Sequence, residues 1–212
     1  MLLVFGFTVR FTTLAQLQFF CPRCGGDRTG ARRAARRWFT LFWIPLIPMK
    51  RLGEIVECET CKTRFDSSVA DQPTTADLAA VLDDAVRVLT AMIVRTGNIT
   101  SPALRSAAVT EVARVMAGYD DSVLTGDIVA LDPALAERYV TPLADGLEVA
   151  GKERLVSSLV RVALSDDTVT ADQRRVIEHV GRGLGLTPAH VTGIVTSVVS
   201  EREPDPDPGH PA

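Results

Sequence analysis

The sequence predicts an α+β protein of two domains, a small β unit followed by an all-helical one. Three observations carry that expectation. The four cysteines fall as two C-x-x-C pairs, Cys21/Cys24 and Cys58/Cys61. Around them the chain is β-branched, aromatic and proline-rich without a helical period, whereas beyond residue 75 alanine, valine and leucine recur at helical spacing. Charge divides in the same place. Residues 1–68 hold eleven Lys/Arg against five Asp/Glu, and the remainder twelve against twenty-one, which suggests two domains with different jobs.

A C-x-x-C places two thiolates on one tight turn, and two such turns can close a tetrahedron around one Zn²⁺. Gly25 follows the first pair, where a residue without Cβ lets backbone N–H groups turn toward the sulfurs. Lys62 stands in that place after the second pair. Two disulfides or a redox dithiol are the alternatives, but a redox C-x-x-C needs a βαβ context, and neither pair has one. Cys21, Cys24, Cys58 and Cys61 are therefore the expected ligands of a structural Zn²⁺. Metal-held thiols, together with an opening stretch that lacks a basic n-region and a small-residue cleavage site, point to the cytoplasm. The apolar run from Trp38 to Met49 is broken by Pro45 and Pro48 and falls short of the ~20 residues a membrane helix needs.

Met1 to Thr13 reads as extended, with Gly6 and no helical period. The run Trp38 to Pro48 is aromatic and too proline-rich for a helix, and Gly53 to Glu57 alternates its faces as a half-buried strand does. A small sheet with two knuckles stapled by metal follows from this, and the metal supplies much of its folding free energy. Arg32, Arg33, Arg36 and Arg37 beside Trp38 are candidate contacts for an anionic partner: a nucleic acid, a membrane surface, or an acidic helical domain. The alternative is a solvated strand face with the aromatics in the core. The opening Leu-Val-Phe-Gly, the Phe-Phe-Cys-Pro-Arg-Cys-Gly and the Arg-Arg-Trp-Phe-Thr-Leu-Phe-Trp-Ile-Pro-Leu-Ile-Pro block are similar to a bacterial zinc-ribbon family. That resemblance covers residues 1–66 and implies a zinc ribbon, with little said about activity.

Residues 67–75 are polar and read as a linker. Over 76–200 helix signals come in series. Thr74 and Asp77 are spaced as a capping box ahead of Leu78, Leu82, Ala85, Leu89 and Met92. Ser101-Pro102 opens a helix whose inner face is Leu104, Ala108, Val112 and Val115, and Asp132-Pro133 pairs a cap with a first-turn proline. Pro142 is expected to split the middle helix. Gly151 opens a helix to about Leu164, Thr170 to Gln173 form another capping box, and Thr187-Pro188 starts the last helix. Residues 201–212 have the composition of a disordered tail.

A shift of 70 residues superposes Leu89–Val115 on Leu159–Gly185, giving helix, polar turn and capped helix in both copies. The second turn, Ser165 to Gln173, holds Asp166, Asp167 and Asp172. Two aspartates at a helix C-terminus oppose the macrodipole, and Ca²⁺ or another divalent cation held by oxygens is one offset. The other reading is that aspartates simply suit turns. The stretch Val-Ala-Leu-Ser-Asp-Asp-Thr-Val-Thr-Ala-Asp-Gln, followed by Arg-Gly-Leu-Gly-Leu-Thr-Pro, resembles the TerB (tellurite-resistance) family. The resemblance implies an all-α helical bundle with an acidic, metal-binding surface. Asp166 and Asp172 match the family pattern, while Asp167 stands where Gly is expected and Gln173 where Glu is expected. Together the two resemblances imply a non-catalytic, cytoplasmic, bacterial zinc-ribbon and TerB-like protein of the tellurite, metal or chemical-stress response. It would act as a cation-sensing or protein-interaction scaffold with protein partners from that response. A nucleic-acid-binding regulator is the alternative. No Ser/His/Asp or Cys/His set is ordered in a way that asks for an enzyme.

Overall fold

The computed structural model describes residues 5–41, 44–130, 132 and 135–202. Residues 1–4 of the stretch expected to be extended, Phe42 and Trp43 of the 38–48 block, Pro133 of the expected Asp132-Pro133 cap and the tail after Arg202 lie outside them. The chain divides into two compact units, Met1–Leu78 and Ala79–Ala212.

The first unit is an antiparallel meander of β1 (Phe5–Cys21), β2 (Gly26–Leu41), β3 (Ile44–Cys58) and β4 (Arg64–Asp66), in the order β1-β2-β3-β4. In a meander, alternate turns fall at the same end of the sheet. The β1–β2 turn carries the first cysteine pair and the β3–β4 turn the second, so both arrive at one end. Here too lies the core, with Phe19, Val56 and Val69 buried beside Cys21 and Cys58, and Phe19 edge-on to Phe65 at 6.0 Å between ring centres. Gly30 is required at this spot. A Cβ there would come within 2.6 Å of the Phe19 ring. Val69 belongs to a 3₁₀ turn, Ser67–Asp71, within the stretch expected to be a linker. Its apolar side chain fills the ribbon's small core, which composition alone does not reveal. Asp27, just after the first knuckle, accepts from the backbone N–H groups of Thr75 and Ala76 at 2.9 and 3.2 Å.

Among the described residues seven helices follow: α1 (Thr75–Thr96), α2 (Pro102–Ala113), α3 (Asp121–Ala130), α4 (Leu135–Gly146), α5 (Val149–Leu164), α6 (Ala171–Gly183) and α7 (Pro188–Arg202). In the second unit α5 is the central element, packing on α2, α6 and α7 with Leu155, Val156, Leu159 and Val160 buried. Helix α2 buries Leu104, Ala108 and Val112, but it ends at Ala113 and leaves Val115 exposed. Helix α3 had no counterpart in the sequence reading. Its signal is Asp120, whose carboxylate accepts from the N–H groups of Ser122 and Val123 and so satisfies donors that a helix start leaves open. Pro142 does not split its helix, because α4 runs through it. Burial of Val140 and Leu143 on either side holds the turn, and Gly183 of α6, where a Cβ would meet Val140 at 2.7 Å, allows α6 that close an approach.

Candidate metal centre

Each knuckle is built alike. Cys24 and Gly25 donate their N–H groups to the Cys21 carbonyl at 3.1 and 2.9 Å, and Lys62 donates to the Cys58 carbonyl at 3.0 Å. Gly25 and Lys62 both take positive φ, 67° and 57°, so the lysine adopts the left-handed geometry that glycine serves in the first turn. The knuckles are tied to one another. The Glu59 N–H donates to the Thr29 carbonyl at 3.0 Å, and Arg23 donates to the Thr63 hydroxyl at 3.2 Å.

The ligand atoms of Cys21, Cys24, Cys58 and Cys61 all lie within 4.8 Å of one another, and all four thiols are free. Cys21 and Cys58 are buried, and Cys24 and Cys61 half-buried. The Sγ atoms of Cys21 and Cys61 are 3.8 Å apart. A tetrahedron with Zn–S bonds of about 2.3 Å has edges of about 3.8 Å, whereas a disulfide would bring sulfurs to about 2.05 Å. The donor set therefore fits a zinc ion. In the metal-free tetrad, burial and the neighbouring sulfurs push the Cys24 thiol up to about 12. The Thr63 hydroxyl and backbone hold Cys61 down to about 6. Thr63 and Arg23 are the supporting residues that cysteine spacing does not point to. Position next to the second pair was the one available signal for Thr63.

The other candidate residues are arranged differently. The three aspartates of the α5–α6 turn each engage a separate partner. Asp166 accepts from the Ser101 hydroxyl at 2.7 Å, Asp167 pairs with Arg202 at 2.9 Å, and Asp172 pairs with Arg175 on its own helix. Among the described residues, the cysteine tetrad is the one group of three or more His, Cys, Asp or Glu gathered at ligand spacing. Asp167 sits at φ 66°, the conformation that Gly would take there. The two turns that the 70-residue shift superposes meet one another. Thr170 caps α6 and donates its hydroxyl to the Thr96 carbonyl at 3.1 Å, while the buried Gln173 donates to the Ile93 carbonyl at 3.1 Å. Gly97 makes room for that amide, since a Cβ would come within 2.3 Å of it.

The arginine run is not one patch. Alternation along β2 sends successive residues to opposite faces. Arg32 pairs with Glu54 at 2.6 Å and Arg33 with Glu57 at 3.1 Å. Arg36 donates to the Met49 carbonyl at 3.2 Å, and the Arg37 guanidinium lies 5.8 Å over the Phe7 ring. Trp38 is half-buried in a rung with Thr8 and Pro48. What the sheet does gather is Arg10, Arg36 and Arg51, a set invisible in sequence because its members lie on three strands.

No helix among the described residues is long and apolar enough to cross a membrane. No curated protein and no solved structure matches the chain. Residues 19–86, which contain the complete cysteine tetrad, match a zinc-ribbon family, and the match does not extend to the helices beyond.

Proposed function

We propose that the chain is a non-catalytic adaptor, in which a zinc-stapled docking unit precedes a TerB-like helical unit that serves as a scaffold for a protein partner. The observation that carries this reading is the donor set. Four cysteine sulfurs at tetrahedral spacing complete the coordination of a zinc ion and leave no position for water or substrate, the arrangement of structural rather than catalytic sites. Cys21, Cys24, Cys58 and Cys61 would hold the ion, and its chemistry is to cross-link two turns that have little core beneath them. Placement in a cytoplasmic bacterial response to tellurite, other metals or chemical stress rests on the sequence resemblance of Leu155–Leu186 to the TerB family. Interaction rather than cation sensing is favoured for the helical unit, because Asp166, Asp167 and Asp172 are each committed to a separate protein group. The nucleic-acid reading of the arginine run is weakened by the loss of Arg32 and Arg33 to Glu54 and Glu57.

Native mass spectrometry of the protein from zinc-replete cells tests the reading. One zinc per chain, lost in Cys58→Ser, is expected. A chain that carries no zinc, or that titrates as a dithiol in a redox buffer, would overturn it.

A further inference from the structure

The end of the β1–β2–β3 sheet away from the cysteines has no core to fill. Phe7, Ile44, Leu46 and Ile47 are 61%, 59%, 53% and 58% exposed, whereas Phe19 and Val56 at the metal end are fully buried on the same strands. By register, Phe7, Phe39 and Ile47 share one rung, and Leu41 and Ile44 pair two steps beyond. The apolar side chains thus form a band at the extremity. Three residue steps toward the metal end, about 10 Å of strand, Arg10, Arg36 and Arg51 share a single rung, and all three are exposed. Like charges directly opposite one another destabilise a sheet. Residues 5–13 and 34–53 contain five Lys/Arg and no Asp or Glu, and Glu54, just beyond, already pairs with Arg32.

We propose that this arm docks on an anionic lipid bilayer, with the apolar rungs at the headgroup boundary and the arginine rung meeting the lipid phosphates. The dimensions suit a shallow seat. The apolar rungs span about 7 Å of strand, within the roughly 5–10 Å to which interfacial elements penetrate. Among the described residues both sheet edges are open along the arm, and unpaired backbone does not enter hydrocarbon, so insertion stops there. A second copy of the chain is disfavoured as occupant, because it brings the same five cations. A single-stranded nucleic acid needs several aromatic faces for stacking, but among the described residues of the arm Trp38 is half-buried and Phe7 is the one exposed aromatic beside the exposed Ile44, Leu46 and Ile47. This deepens the docking role given to the first unit. Loss of zinc would defeat that role, whereas a zinc-loaded protein that ignores vesicles would defeat only the lipid assignment.

Co-sedimentation of the zinc-loaded full chain with vesicles tests it. Binding is expected to phosphatidylcholine vesicles that contain phosphatidylserine and not to phosphatidylcholine alone, and it should fall steeply with salt. Arg36→Gln and Arg51→Gln should each weaken it about fivefold. Ile44→Ser/Ile47→Ser should abolish it with zinc stoichiometry unchanged. If that double variant failed to fold, the arginine variants and the salt dependence of the native chain would decide. Equal retention on both vesicles, or none on either, overturns the proposal. So does tighter binding to a single-stranded RNA oligonucleotide that the isoleucine changes leave intact. A dimer in light scattering that those changes split, without vesicle binding, overturns it in favour of self-association.

Discussion

At Lys62 the backbone is held at φ 57°, a left-handed geometry that costs a residue with Cβ roughly 1–2 kcal/mol. The first knuckle avoids that cost with Gly25. Lys62→Gly should therefore stabilise the zinc-loaded fold by about 1 kcal/mol, seen as tighter retention of zinc against a chelator. In the helical unit the informative residue is Asp127. Arg87 of α1 grips it with two hydrogen bonds, 2.7 and 2.5 Å, and the Tyr119 hydroxyl donates to it at 2.8 Å. Burial pushes the Asp127 carboxyl up, but the Arg87 and Tyr119 hydrogen bonds outweigh it and leave the group below its ordinary value. Its stabilisation is consequently complete above the ordinary carboxylate value and is lost as pH falls through the lower folded one. Asp127→Asn should cost about 1.5 kcal/mol in urea unfolding at neutral pH, the low end for a charged hydrogen bond because Arg87 is still 36% exposed. The deficit should shrink in acid, where the native protein loses the same charge.

Elements were legible where local chemistry decides them. The Thr74/Asp77 and Thr170/Gln173 capping boxes form with reciprocal hydrogen bonds, because cap and helix lie within three residues. The same reading missed α3, whose cap is an aspartate rather than a box, and misjudged Pro142, whose helix is held by packing across the fold. Gly30 belongs to the illegible kind as well. Nothing local to it announces the Phe19 ring, which register brings to it from β1. Gly30→Ala should destabilise the ribbon by about 1–3 kcal/mol through overpacking, read from thermal unfolding with zinc in excess. Cysteine spacing made the metal centre legible, since two turns suffice to specify four ligands. The arginine rung was hidden, since three residues 26 and 15 positions apart become neighbours only when strand order and register are known.

At the scale of the molecule, zinc and protons compete for the same sulfurs. Zinc binds thiolates, so its affinity falls with pH. A chelator titration should show affinity declining from neutral pH downward as protons take the sulfurs. Removing zinc should unfold the cysteine end of the first unit, visible as lost amide protection around Phe19 and Val56.

Strand order carries one more consequence. β4 covers only the last residues of β3, pairing with Ile55, Val56 and Glu57, so a long three-stranded ribbon keeps two bare margins. Such margins invite recruitment of further chains into fibrillar stacks. Pro45 and Pro48 interrupt the donor row of the β3 margin, and Lys50 and Arg51 charge it. On the other margin, β1 slips register between Thr13 and Ala15. Replacing both prolines with threonine should leave zinc binding intact and lower the concentration at which thioflavin-positive aggregates form. Two residues that contribute nothing to the core would thus help to keep this protein in solution.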